Sequence, residues 1–328
     1  MRSLPLARSL GSLRVPAALA LVAALVAALL ASLAPGSAEA APTTRRYAAW
    51  APAASAVLTP GTQAYTDGAQ CTSNFVFTDS RGDVYLGYSA HCAGKGESTD
   101  TDGCKVDSVP LGTKVTFAEG GSPVADGTVL ATGRLAYSSW ITMRRLGTKD
   151  ANTCAYNDFA LVKVARKDRG KVNPSVPQFG GPVAAPAAKG VVLAAGDQLY
   201  SYGNSSLRGG AAPFSPKYGV ALGDDAADGG WSHGLYSLTP GIPGDSGSGF
   251  LDAKGRAIGT LSTVGLAPLP LSNNIGDLGR ELAFAQKHSG IPGLRLALGT
   301  EPFTGAGLPG GGLPGLPALP GAPSLPLP

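Results

Sequence analysis

The chain has 328 residues, of which 15% are charged and 44% hydrophobic, with 47 glycines and 27 prolines. That content excludes a disordered protein and is ample for a sizeable core. The net charge of +4 falls to +2 once residues 1–40, with Arg2, Arg8, Arg14 and Glu39, are set aside, so the balance gives no reason to invoke nucleic acid as a partner.

Residues 1–40 read as a signal peptide. Three arginines give a positive start, Val15 to Leu33 is uncharged and mostly Ala, Leu and Val, and Ala38-Glu39-Ala40 offers small residues where a signal peptidase reads. Cleavage is expected after Ala40, and the product is expected to be secreted. The competing reading is a retained membrane anchor, since the apolar run just reaches spanning length. Eight of its nineteen residues are alanine, however, which makes it weakly apolar. Membrane contact is expected only if this leader is retained.

Residues 41–68, rich in Ala, Pro and Thr, read as an N-terminal linker or short pro-segment. Arg45-Arg46 is either a processing site or two surface arginines. From Ala69 the texture changes to short β-prone runs punctuated by Gly, Pro and Asp. Asn74 to Phe77 and Val84 to Tyr88 flank a turn at residues 79–83, which is a hairpin signal. Further runs are Lys114 to Phe117, Thr128 to Ala131, Leu135 to Tyr137, Phe159 to Val164, Val191 to Leu193, Gln198 to Tyr202, Phe250-Leu251 and Ala257 to Thr260. This pattern predicts an antiparallel all-β barrel or sandwich over residues 69–298. One helix is predicted near the end: Asn273 or Asn274 caps it, Ile275, Leu278, Leu282 and Ala285 space an apolar face, and Gly290 with Pro292 stops it. Residues 299–328 are Gly, Pro, Leu and Ala with almost no charge, and read as a disordered or polyproline-like tail.

Four cysteines, Cys71, Cys92, Cys104 and Cys154, are an even count, which with export predicts two disulfides. Three pairings are possible, and sequence neighbours give Cys71–Cys92 and Cys104–Cys154. Four reduced core thiols are the competing reading. The spacing lacks C-x-x-C, so no metal or cofactor is expected.

At the centre of the Gly-rich stretch Pro240 to Phe250 stands Ser246, between Asp245 and Gly247. Glycines let a backbone turn tightly and approach a ligand, and a serine becomes a nucleophile only beside a base. The chain has three histidines. His91 follows a predicted strand and adjoins Cys92, His233 lies in a loop, and His288 ends the predicted helix. A bridge through Cys92 would fix the backbone beside the His91 ring, which makes it the preferred base. The acid that orients such a base should be buried. Asp158 opens an apolar strand and suits that role, Asp197 reads as a turn residue, and Asp224, Asp225 and Asp228 lie in a polar loop.

Ser-Ala-His-Cys at 89–92, Asn-Asp-Phe-Ala-Leu-Val at 157–162 and Gly-Asp-Ser-Gly-Ser-Gly at 244–249 together resemble the three signature segments of the chymotrypsin-like serine proteases, in that family's order and in the style of its secreted bacterial branch. The resemblance spans about Ala69 to Gly290. It implies two antiparallel six-stranded β-barrels with a C-terminal helix, the site lying between them. Ser246 would be the nucleophile, His91 the base and Asp158 its orienting acid. The N–H groups of Gly244 and Ser246 would form the oxyanion hole, and Cys71–Cys92 would be the bridge beside the histidine. The expected activity is serine endopeptidase, with polypeptide substrates and a monomeric state.

The departures from the family pattern are informative. No Ile-Val-Gly-Gly-like start lies upstream of Cys71, so Asp245 needs a counter-charge other than a freed amine, either an internal arginine or backbone donors. Pro240 and Gly241 stand at the base of the implied specificity pocket and Val264 on its wall, which predicts small or medium apolar residues before the scissile bond. An α/β-hydrolase is disfavoured because the residue two after Ser246 is Ser248, which breaks G-x-S-x-G. The second reading is a catalytically silent, protease-like secreted binding or adhesion module.

Overall fold

The computed structural model describes residues 49–97, 100–209, 211–264 and 271–305. The expected signal peptide with its cleavage point, Arg45-Arg46, and residues 306–328 of the expected tail lie outside them.

The first half carries β1 (Gln63–Thr66), β2 (Ala69–Thr72), β3 (Val76–Thr78), β4 (Val84–Tyr88), β5 (Lys114–Glu119), β6 (Thr128–Ser138), α1 (Ser139–Leu146), α2 (Ala151–Tyr156) and β7 (Ala160–Val164). The second half carries β8 (Gln198–Tyr202), β9 (Pro216–Gly223), β10 (Ser232–Ser237), β11 (Gly249–Asp252), β12 (Ala257–Val264), β13 (Asn273–Asp277), α3 (Leu278–His288) and β14 (Arg295–Leu296). Strands β10-β13-β12-β11-β8-β9 close into the expected six-stranded antiparallel barrel. The other antiparallel sheet has eight strands rather than six, in the order β14-β3-β4-β7-β6-β5-β1-β2. The extra strands come from the two ends of the fold, where β14 returns to pair with β3 and β2 folds back on β1.

Several expected boundaries move. Residues 63–66, assigned to the linker, form β1. Asp67 and Gly68 join it to β2 with φ of 49° and 88°, the left-handed pair that a two-residue Asp-Gly hairpin turn requires. Upstream, Leu58 is fully buried and bridges to Val172. The runs at 128–131 and 135–137 are one strand, β6, with an irregular register beside β7 between Leu135 and Tyr137. Val191 to Leu193 is not a strand; its N–H groups are taken by carboxylates, Val191 by Asp277 (2.8 Å) and Leu193 by Asp224 (3.0 Å). The last helix does not start at Asn273 or Asn274. Those residues lie in β13, which pairs with both β10 and β12, and Asp277 caps α3 by accepting the Arg280 N–H at 2.8 Å. At the C-terminal end, Ser175 Oγ accepts the N–H groups of Thr300 and Glu301 (2.9 and 3.0 Å). The Phe303 ring packs edge-on to Tyr200 at 5.5 Å.

The core has three parts. One fills the first sheet, around Leu86, Val115, Phe117 and Val162; one fills the closed barrel, around Leu199, Leu235, Phe250 and Ile275. The third is the seam, where Phe75, Phe77 and Phe159 of the first half meet Leu251 and Ala257 of the barrel and Leu278, Leu282 and Ala285 of α3. Phe75 and Phe159 are wholly buried there, each contributing about 1.5–3 kcal/mol by leaving water. The seam packs the two halves against each other.

Candidate active site

Strand β4 is buried throughout and ends at Tyr88. A short 3-10 turn, Ala90–Ala93, then carries His91 and Cys92. Cys92 is bridged to Cys71 in β2, and Cys104 to Cys154 at the start of α2's last turn. The two loops span 21 and 50 residues, for which chain entropy gives about 3 and 4 kcal/mol. Just before the turn, Ser89 Oγ donates to the Leu261 carbonyl of β12 at 2.8 Å, tying the His91 segment to the closed barrel.

Asp158 receives His91 twice. The His91 backbone N–H donates to Oδ1 at 2.8 Å and its ring Nδ1–H to Oδ2 at 2.6 Å. The Asp158 side chain is 4% exposed and that of His91 27%. A third donor, Ser262 Oγ of β12, reaches Oδ2 at 2.7 Å. Burial disfavours charge on both groups, but their attraction and hydrogen bonds prevail. The His91 pKa is therefore raised above the ordinary 6.5, and that of Asp158 is lowered below 3.8. With Nδ1–H committed to the carboxylate, the lone pair of the neutral ring resides on Nε2.

The Ser246 loop is held from beneath by Asp245, which is fully buried. Arg208 grips it with Nη1 at 2.7 Å and Nη2 at 2.6 Å, and the wholly buried Lys217 adds Nζ at 2.9 Å. Backbone N–H groups of Ser205 and Ile242 complete the shell, each at 3.1 Å. The counter-charge left open by the sequence is thus an internal arginine, with a lysine and backbone donors beside it. Burial pushes the Asp245 pKa up, and the two cations more than reverse this. The same cations hold the adjoining chain, since Arg208 Nη2 donates to Pro240 O (2.8 Å) and Lys217 Nζ to Thr239 O (3.1 Å).

From above, β2 holds the loop. The Gly244 carbonyl accepts from Gln70 Nε2 (3.0 Å) and Thr72 Oγ1 (2.8 Å), and the Ser246 carbonyl from the Thr72 N–H (2.8 Å). Thr72 adjoins Cys71, whose bridge leads to Cys92 beside His91, so the segments bearing His91 and Ser246 are fastened to the same two residues of β2. A side chain at Gly247 is impossible here: φ is 93°, and a Cβ would come within 2.4 Å of Thr72 O and 3.0 Å of Ser89 N. Among the described residues, the N–H groups of Gly244 and Ser246 have no acceptor and the part-exposed Ser246 hydroxyl has no hydrogen-bond partner. Two unspent donors are thus available for the proposal made below.

The residues expected to form the specificity pocket are joined by one that sequence reasoning missed. Asn273 is 1% exposed. It exchanges two hydrogen bonds with the Gly241 backbone (2.7 and 3.0 Å) and donates to Thr263 O at 3.3 Å. It spans from the Pro240–Gly241 segment to the strand that bears Val264, itself 41% exposed.

The rival residues are engaged elsewhere. His233 is buried with Nδ1 on Asp224 (2.7 Å) and Nε2 on Asp277 (3.0 Å), so neither nitrogen is open to a substrate. Asp197 accepts the Ala194 N–H at 2.8 Å, the turn role expected of it. Asp225 and Asp228 accept local N–H groups from Ala227 and Gly230. His288 packs against Phe284 at the end of α3, with ring centroids 4.7 Å apart and planes tilted by 48°.

No protein-family model and no curated protein sequence matches the chain. Solved structures do. Thermobifida fusca Protease A is 14% identical with a TM-score of 0.43, over 74% of this chain and 99% of its own. Cellulomonas bogoriensis chymotrypsin is 15% identical with a TM-score of 0.40, over 73% and 98%. The thermostable serine protease AL20, from an extremophilic microorganism, is 17% identical with a TM-score of 0.43, over 73% and 100%. The overlap is partial at those scores, and what the chain does must be read from the hydrogen bonds and burial of its own site.

Proposed function

We propose that this chain is a secreted serine endopeptidase that hydrolyses polypeptides through Ser246, His91 and Asp158 and an acyl-enzyme. The observation that supports it most directly is the His91 ring held by Nδ1–H on a buried carboxylate at 2.6 Å, which leaves Nε2 to act as base. Ser246 Oγ attacks the scissile carbonyl as its proton passes to Nε2, and Asp158 stabilises the imidazolium so formed. The carbonyl oxygen becomes an oxyanion and takes the N–H groups of Gly244 and Ser246, each donor contributing about 3 kcal/mol. Collapse breaks the C–N bond, and the imidazolium gives its proton to the departing amine. Water then repeats the cycle on the ester and frees Ser246. Catalytic serine–histidine contacts are often long without substrate and tighten in the Michaelis complex, which is compatible with a Ser246 hydroxyl unengaged at rest.

The preference for small or medium apolar residues is supported by Asn273. A buried, uncharged amide that bridges Gly241 and Thr263 offers no counter-charge to a long basic side chain. Export is supported by two disulfides, which persist in oxidising compartments.

A fluorophosphonate probe tests the assignment. Labelling of the wild type and not of Ser246→Ala is expected, followed by cleavage after alanine, valine or leucine in peptide substrates. Failure of both proteins to label overturns the enzyme and favours the silent binding module. Rapid cleavage after arginine with none after alanine overturns the pocket reading alone.

A further inference from the structure

Behind Asp158, on the side away from His91, lies a second acid that the mechanism above does not use. Glu281, in the first turn of α3, is fully buried. Its Oε1 accepts the Asp158 backbone N–H at 3.2 Å. The Thr260 hydroxyl of β12 neighbours its carboxyl, and that hydroxyl receives Asn74 Nδ2 from the first sheet at 3.3 Å. The triad aspartate is therefore backed by a chain of contacts drawing on both sheets and the helix.

The surroundings give this carboxyl no cation to balance a charge. Its Oε2 is buried with no hydrogen-bond partner among the described residues, as are the Tyr137 hydroxyl and both polar atoms of the Asn157 side chain. The titratable groups that face it are Asp158, Asp277 at the cap of α3, and Tyr137 of β6. None of these is a cation, and two are carboxylates. Burying an ionised carboxylate without compensation is prohibitive, so such a group neutralises instead. Burial first, and the Asp158 charge second, push the Glu281 pKa well above the ordinary 4.5.

We propose that Glu281 is a positioning residue for Asp158: it fixes the backbone of the triad aspartate through Oε1 while remaining uncharged, so that Asp158 stays the one anion behind the His91 ring. Its role rests on the protease reading, but its geometry can be tested without turnover. A neutral acid serves where a second carboxylate would repel the first, and where an apolar residue would leave the Asp158 N–H unpaired in the interior.

The test uses the full chain as wild type, Glu281→Gln and Glu281→Ala. Gln keeps an acceptor oxygen and cannot ionise. The first readout is the downfield proton resonance of His91 Nδ1–H, which needs no substrate; it is expected to persist in the Gln variant and to be lost or displaced in the Ala variant. The second is peptide hydrolysis, where Ala is expected to lower kcat about tenfold with KM unchanged, one lost hydrogen bond by transition-state arithmetic, and Gln to restore most of it. The third is the unfolding equilibrium against pH. An acid whose folded pKa is raised contributes fully below its unfolded pKa, here 4.5, and loses that contribution as pH rises toward the folded value. The Gln variant should thus gain on the wild type by up to tenfold per pH unit above 4.5. A flat difference, or an Ala variant with unchanged resonance and kcat, overturns the proposal. If the Ala variant fails to fold, the Gln comparison still decides. A wild type that never labels with fluorophosphonate sinks the protease reading, while the resonance and the pH dependence continue to judge Glu281.

Discussion

Asp245→Asn is the substitution with the sharpest expected signature. It preserves shape and removes the anion that Arg208 and the wholly buried Lys217 share. Taking one partner from a buried ion pair costs about 3–5 kcal/mol, because the remaining charge is left uncompensated. Here one carboxylate serves two cations, so about 5 kcal/mol is expected, a large part of the roughly 5–15 kcal/mol that holds a domain together. Lys217 has a partial escape. Burial already lowers its pKa, against the pull of Asp245, so without the carboxylate it can shed its proton. The double variant Asp245→Asn, Lys217→Met should therefore be more stable than Asp245→Asn alone by about 0.5–3 kcal/mol. The assay is urea unfolding of wild type, both single variants and the double variant, repeated against pH. Asp245 has a lowered folded pKa, so its stabilisation is present above the unfolded value of 3.8 and lost as pH falls through the folded one. The gap between wild type and Asp245→Asn should close in acid. A loss below about 1 kcal/mol, or a double variant weaker than either single, would refute the claim that these cations depend on Asp245.

Three further outcomes follow from the same contacts. Ser262→Ala removes a hydrogen bond to ionised Asp158 and should lower kcat/KM by about 1.5–3 kcal/mol of transition-state binding, read from peptide hydrolysis. Because the His91 pKa is raised, the acid limb of kcat/KM should lie above pH 6.5; a limb below that value contradicts the His91–Asp158 pairing. His233 has a raised pKa from its two carboxylates although burial opposes it, so its contribution is full below 6.5 and lost as pH rises through the folded value. His233→Gln should accordingly destabilise more in weak acid than at alkaline pH, as thermal unfolding would measure.

What the sequence made legible was the chemistry that clusters in short runs. His91 beside Cys92, Asp158 at the mouth of an apolar strand, and Ser246 among glycines each stand in a local pattern, and the hydrogen bonds at His91 and Asp158 follow it. The supporting residues have no such pattern. Ser262 meets Asp158 across 104 positions and Glu281 meets it across 123, so only the seam between the sheets unites them. Arg208 and Lys217 look like any surface cations in the chain, and nothing local marks their burial on Asp245. The β1–β2 hairpin is a different kind of miss. Asp67-Gly68 is a strong turn signal, but the Ala- and Pro-rich stretch before it masked the short strand. The start of α3 was misplaced because Ile275 fits both a helical face and the alternation of β13, and the pairing with β10 and β12 decided for the strand.

The double grip of Arg208 and Lys217 on Asp245 has a consequence for control. On the proposed protease reading, a Ser246 loop locked by side chains from within its own barrel already has its counter-charge when the chain folds, and a newly freed amine would add no charge that Asp245 lacks. On that same reading, latency would come from covering Ser246 rather than from withholding the partner of Asp245.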